Sequence, residues 1–124
     1  MARRMAEIRW RQEPEAHDYE AARSYLTLTF ETAKAGRFVA LLRRSRVTSF
    51  KAKDIFRASA LSLLGISNAH VEKDRRKIAA GNKLSPLLLV RDAIRGRVII
   101  ADGYHRLCAV YGYDEEALIP CKIV

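Results

Sequence analysis

Apolar residues recur along this chain with two different periods, and the change of period divides it. In "HDYEAARSYLTLTFETAKAGRFVALLRRSRV", Tyr19, Ala22, Leu26, Phe30 and Ala33 fall at three- to four-residue steps, the spacing of one buried helical stripe. Asp18 stands where a cap is expected. Gly36 predicts a division into two helices or a bend, because glycine costs about 1 kcal/mol relative to alanine inside a helix. The next stretch, "TSFKAKDIFRASALSLLG", holds Ile55, Phe56, Leu61, Leu63 and Leu64, with Thr48 or Ser49 as a start signal and Gly65 as a stop. "SNAHVEKDRRKIAAGN" sets Val71 and Ile78 seven apart between a Ser67 or Asn68 cap and a Gly81-Asn82 stop, which predicts a short amphipathic helix with a charged outer face.

The texture then becomes that of strands. "LSPLLLVRD" is a continuous apolar run after a proline, the signature of a strand buried on both faces, and "AIRG" supplies a turn into a second strand, "RVIIA". A third strand, "IPCKIV", closes the chain, with Pro120 near its start, where proline is tolerated. Between the last two, "DGYHRLCAVYGYDEEAL" places Leu107, Val110 and Tyr111 on one helical face with Gly112 as its stop. Strand, turn, strand, helix, strand after a helical first half predicts an α+β fold, a small mixed sheet with packed helices. The first 16 residues read as an irregular, loosely attached arm. The organisation expected is an N-terminal arm and helical extension over 1–47 and a domain over 48–124, forming one compact unit.

Composition narrows the class. With 124 residues the chain holds one domain with a real core. Its formal net charge of +9 favours an anionic partner. The excess is concentrated in residues 34–57, with Lys34, Arg37, Arg43, Arg44, Arg46, Lys51, Lys53 and Arg57 against Asp54, and in "EKDRRK", residues 72–77. Either is a solvated face or a nucleic-acid, nucleotide or protein contact. Cys108 and Cys121 lie in apolar segments without metal-ligand spacing and read as buried thiols in a reducing cytoplasm. The first residues carry arginines but no apolar core region, so no secretory signal is expected, and no run approaches the roughly 18 apolar residues of a membrane span.

The chemistry converges on "ADGYHR", where a strand delivers the chain to a helix whose first N–H groups lack internal partners. Gly103 allows a sharp turn and a close approach of ligand, and two potential cations, His105 and Arg106, at a helix start invite a phosphate. Asp102 is either the N-cap, accepting from the N–H of His105 or Arg106, or a contact to a metal or a substrate hydroxyl. His105 either donates to a nearby carbonyl or meets the anion. Arg106 either presents its donor fork to phosphate or carboxylate, or pairs with Asp102 or Asp54. His17 and His70 are expected to be lone, solvent-exposed histidines. Asp54 and Arg57 stand three apart as helix neighbours, Ser59 is a cap or a ligand contact, and Ser85, at the entry to the first strand, is placed to line the same cleft.

Taken together, "AKDIFRAS", "KIAAGNKLSPLLLVRD", "DGYHRLCAVY" and "IPCKIV" resemble the ParB/sulfiredoxin superfamily over roughly residues 48–124. The resemblance implies that fold and makes Gly103, Tyr104, His105 and Arg106 a phosphate-binding turn. It implies ATP or CTP with Mg²⁺ as the candidate cofactor, and NTPase or kinase-like activity as the candidate chemistry. The kinase-like branch, with an Asp-Gly-His-His-Arg box, is approached most nearly, and Glu31, Asp54 and Asp92 are the acids available as a base. Sulfiredoxins carry a cysteine before the His-Arg pair, where this chain has Tyr104, which argues against sulfinic acid reduction. Three readings therefore stand side by side: a stand-alone cytoplasmic domain binding a nucleotide or other small phosphate ligand, a nucleic-acid module using residues 34–57, and a non-catalytic adaptor with a degenerate pocket.

Overall fold

The computed structural model of the chain describes residues 7–65 and 67–124. The fold is α+β. Its elements in chain order are β1 (Arg9–Trp10), α1 (Ala16–Leu26), α2 (Thr32–Arg44), β2 (Thr48–Lys51), α3 (Ala52–Ser59), α4 (Ala69–Ala79), β3 (Lys83–Leu84), β4 (Leu87–Asp92), β5 (Arg97–Asp102), α5 (Tyr104–Tyr113) and β6 (Leu118–Ile123). A four-stranded sheet runs β2-β6-β4-β5, with β4 and β6 parallel and the other two pairs antiparallel. A small two-stranded parallel pair joins β1 to β3.

Both faces of the sheet are covered, which explains the unbroken apolar run of β4. Leu87 and Leu89 face a core built with Ile55 of α3, Val71 and Ile78 of α4 and Leu107 and Val110 of α5. The alternate residues Leu88 and Val90 face the other way, onto Tyr19, Ala22 and Leu26 of α1 and Val39 and Leu42 of α2. Successive strand side chains point to opposite faces, so a strand between two helical layers needs apolar residues at every position. Residues 16–44 thus close one face of the sheet.

Three expectations are corrected. The stretch 48–51 does not start a helix. It is the edge strand β2, paired with β6 from Thr48–Cys121 to Lys51–Leu118, and all four of its residues are exposed. An edge strand facing solvent carries no burial alternation, so its pattern is silent. The break between α1 and α2 falls at residues 27–31 and not at Gly36, which lies inside α2 where its bare Cα leaves room for the Arg23 guanidinium. Residues 1–6 of the arm lie outside the described residues, and the rest of it is attached: the Arg11 N–H donates to the Leu84 carbonyl at 2.8 Å, and Glu13 pairs at 3.0 Å with the buried Lys122 of β6. Lys122 also donates to the Arg43 carbonyl, so one ammonium ties the arm, α2 and the sheet together.

Local signals account for the helix ends. Asn68 caps α4 by accepting from the N–H groups of His70 and Val71, and Gly81, at φ +74°, follows its end. Asp18 acts at the third position of α1, accepting from the Glu15 N–H in a capping box.

Candidate functional site

The site begins with a slip of register. Leu89 pairs with Ile100 but Leu88 pairs with Asp102, so Ala101 is an extra residue on β5. A bulge of this kind re-aims the side chain that follows it. Leu88 belongs to the α1 face, and its partner Asp102 is thereby brought toward Asp18 and His17 at the start of α1. Gly103 comes next, at φ +106°. A Cβ there would stand 2.8 Å from Leu87 Cγ and 2.9 Å from Arg106 Nη2, so the space above this glycine is filled by the chain itself.

Gly103 is also the N-cap of α5, and no side chain caps the helix. The expectation that Asp102 is the cap is corrected: its Oδ2 accepts from Arg106 Nη2 at 2.9 Å. Arg106 further donates through Nε to the Ser85 carbonyl at 3.0 Å and through Nη2 to the Pro86 carbonyl at 3.3 Å. The fork expected to meet phosphate therefore fastens the turn to the entry of β4. Burial pushes the Asp102 carboxyl above its ordinary value, against the pull of Arg106.

The uncapped first turn of α5 faces a cleft of about 170 Å³ whose opposite wall is α4. His70, Lys73, Asp74 and Lys77 of that wall are spaced i, i+3, i+4, i+7, one face of a helix. The remaining charges of the basic knot consume one another: Glu72 accepts from Arg75 at 2.7 and 2.8 Å and from Arg76 at 3.1 Å, which holds its carboxyl down at about 2. Lys73 and Lys77 make no ion pair among the described residues.

His70 does not stand alone as expected. Its ring lies against His105, with centroids 4.8 Å and planes 31° apart. Burial, together with His70, pushes the His105 imidazole below its ordinary value, and Asp74 opposes the shift. The Tyr104 hydroxyl donates to the Ser62 carbonyl, which leaves that residue's backbone N–H as its contribution to the turn.

Asp74 is the group that sequence reasoning missed. It is 8% exposed and, among the described residues, forms no hydrogen bond or ion pair. Burial raises its carboxyl above the ordinary value, against Arg106, Lys77 and His105. It lines both the small cleft and a larger one of about 470 Å³ that lies toward β3 and the start of α1. The signal was its place in the stripe 70, 73, 74, 77, which a solvated-face reading of "EKDRRK" conceals.

Compared with protein-family models, with curated proteins and with solved structures, the chain matches none of them.

The other candidates lie elsewhere or play other parts. Ser85 reaches the site through its carbonyl and lines the larger cleft. Asp54 and Arg57 pair at 3.5 Å and line a separate cleft of about 610 Å³ beside Phe56 and Tyr111, away from the start of α5. Ser59 is a cap, donating to the Phe56 carbonyl and accepting from the Leu61 N–H after the end of α3. Glu31 begins α2, and Asp92 receives Arg95 in the β4–β5 turn, so neither lines the small cleft.

In the basic run, Lys34 lies over the rings of Phe30 and Phe38, Arg43 lies over Tyr19, and Lys51 and Lys53 both bind Glu116. Arg37, Arg44 and Arg46 are exposed along α2 and just beyond its end. Among the described residues, Glu15, His17 and Asp18 bring three ligand-type atoms within 4.8 Å of one another. Arg11 holds one Glu15 oxygen and the capping box holds Asp18, which accounts for the group without an ion. No helix among the described residues is long and apolar enough to cross a membrane.

Proposed function

We propose that this protein binds a small phosphate-bearing molecule, a nucleotide being one member of the class, in the cleft between the start of α5 and the Lys73/Lys77 face of α4. The observation that carries the reading is an uncapped helix start facing two lysines that have no ion pair among the described residues. Free N–H groups and the positive end of the helix dipole favour an anion, and the ammonium groups add direct charge. His105 gains from the same anion, because a bound phosphate opposes the burial and the His70 repulsion that push its imidazole below the ordinary value.

The order β5, glycine turn, α5, β6 is the one on which the ParB/sulfiredoxin resemblance rests, and it supports the same reading. The residues fit a Mg²⁺-nucleotide in one respect. Asp74 is the carboxylate of the cleft not committed to a guanidinium, so it would be the protein ligand of an ion shared with phosphate oxygens. Thiol chemistry has no support here: Cys108 is buried and its thiol is pushed up by that burial.

Thermal melting with inorganic phosphate, ATP, CTP and GTP, with and without Mg²⁺, tests the reading on the wild type and on a Lys73→Ala/Lys77→Ala double variant. A ligand at 100 times its Kd adds about 2.7 kcal/mol, a visible shift for a domain of this size. A shift present in the wild type and lost in the double variant is the expected result. Silence with every phosphate compound removes the proposal.

A further inference from the structure

The two clefts adjoin, since Asp74, Lys77 and Arg106 line both. The small part, about 170 Å³, accommodates a phosphoryl group at the start of α5, and the larger part beside it offers space for the body of the same ligand. At about 470 Å³ the larger part falls in the usual range of ligand pockets, roughly 300–1,000 Å³.

Its chemistry is not that of a nucleobase site. Among the described residues no Phe, Tyr or Trp lines it, whereas bases are ordinarily held by stacking on such rings. The aromatic pair Phe56 and Tyr111 lines the separate cleft instead. What the larger part offers is polar: Lys77, Lys83 and Asn82, beside Arg11, Glu15, His17 and Asp18, which already bind one another. Hydroxyl groups, each both donor and acceptor, suit the ammonium and amide groups of Lys77, Lys83 and Asn82 together with the carboxylate of Asp74.

Asp74 stands where the two parts meet. The residue is 8% exposed, and its carboxylate has no hydrogen bond or ion pair among the described residues, so it is an acceptor open to a ligand's donor. Both of its oxygens reach the groove, because among the described residues no buried side-chain oxygen is left both covered and without a partner. A phosphate cannot be that partner, since two anions repel. A donor on the same molecule, such as a hydroxyl, suits it.

We infer that the ligand is a phosphorylated sugar or polyol, its phosphate at the start of α5 and a neighbouring hydroxyl donated to Asp74. This rests on the phosphate reading given above. Titration calorimetry on the full chain with inorganic phosphate, ribose 5-phosphate, glucose 6-phosphate and CTP separates the two claims. The sugar phosphates should bind about tenfold more tightly than inorganic phosphate, the effect of one hydrogen bond to a charged acceptor. Asp74→Ala should abolish that preference while binding inorganic phosphate at least as well as the wild type. Asp74→Asn, which keeps an acceptor without its charge, should retain part of the preference and guards against a folding defect in the alanine variant.

Equal binding of inorganic phosphate and both sugar phosphates overturns the inference, as does an undiminished preference in both Asp74 variants. CTP binding more tightly than either sugar phosphate, or binding that requires Mg²⁺, also overturns it and returns the site to a nucleotide. If none of the four binds the wild type, it is the phosphate reading itself that has failed.

Discussion

Asp102 and Arg106 meet across a single turn of chain, Oδ2 to Nη2 at 2.9 Å, with only 15% and 16% of their side chains exposed. Through Ser85 and Pro86 the same guanidinium also holds the entry to β4, so it joins the end of one strand to the beginning of its neighbour. Arg106→Ala leaves a carboxylate and two carbonyls without these bonds. It should lower stability by about 3 kcal/mol in urea denaturation, the cost of breaking a buried pair from one side. Arg106→Lys should recover only part, because an ammonium cannot reproduce the fork. An alanine variant as stable as the wild type would refute this role.

Gly103 is constrained twice, by its backbone and by its surroundings. Gly103→Ala would hold a side chain at φ +106° and drive its Cβ to 2.8 Å from the fully buried Leu87. The expected loss is about 3 kcal/mol, backbone strain and overpacking together. A melting temperature within a degree or so of the wild type would contradict this account.

Asp74 should set a pH dependence. Its carboxyl is raised above 3.8 in the folded protein, so the folded state holds the proton more tightly than the unfolded chain does. Stability from this group is fully present below the unfolded value and is lost as pH rises through the folded one. Asp74→Asn should therefore melt higher than the wild type at neutral pH, and the difference should vanish on acidification below 3.8. A difference that is constant with pH, or of opposite sign, would show that the carboxylate is compensated in the free protein.

The cysteines should be inert while the protein is folded. Cys121 is completely buried and its thiol is pushed up to about 12 by that burial, and Cys108 is shifted in the same direction for the same reason. Since the thiolate is the reactive form, an aromatic disulfide reagent at mildly alkaline pH should label neither in the native state and both in denaturant. Rapid native labelling would place a thiol in contact with solvent.

The local sequence carried whatever depends on neighbours along the chain. It determined α4, because Asn68 and Gly81 bound a stripe that Val71 and Ile78 anchor, and it determined β4, because the stretch of a strand buried on both faces is apolar at every position, with shorter apolar runs marking β5 and β6. It also singled out the turn at Gly103, since only a residue without a Cβ suits that backbone and that closeness to Leu87. The edge strand β2 left no mark, because a strand exposed to water needs no alternation.

Tertiary structure decided which polar residues face one another, since that requires no pattern along the chain. Arg106 could pair with phosphate or with Asp102, and the one-residue slip at Ala101 together with the carbonyls of Ser85 and Pro86 resolved the choice. His70 and His105 are 35 positions apart and became a stacked pair only when α4 packed against α5. Asp74 looked like one charge among six in a solvated run. Packing set it at the meeting of two clefts without a protein partner among the described residues, while Glu72 takes Arg75 and Arg76, the two arginines that follow it.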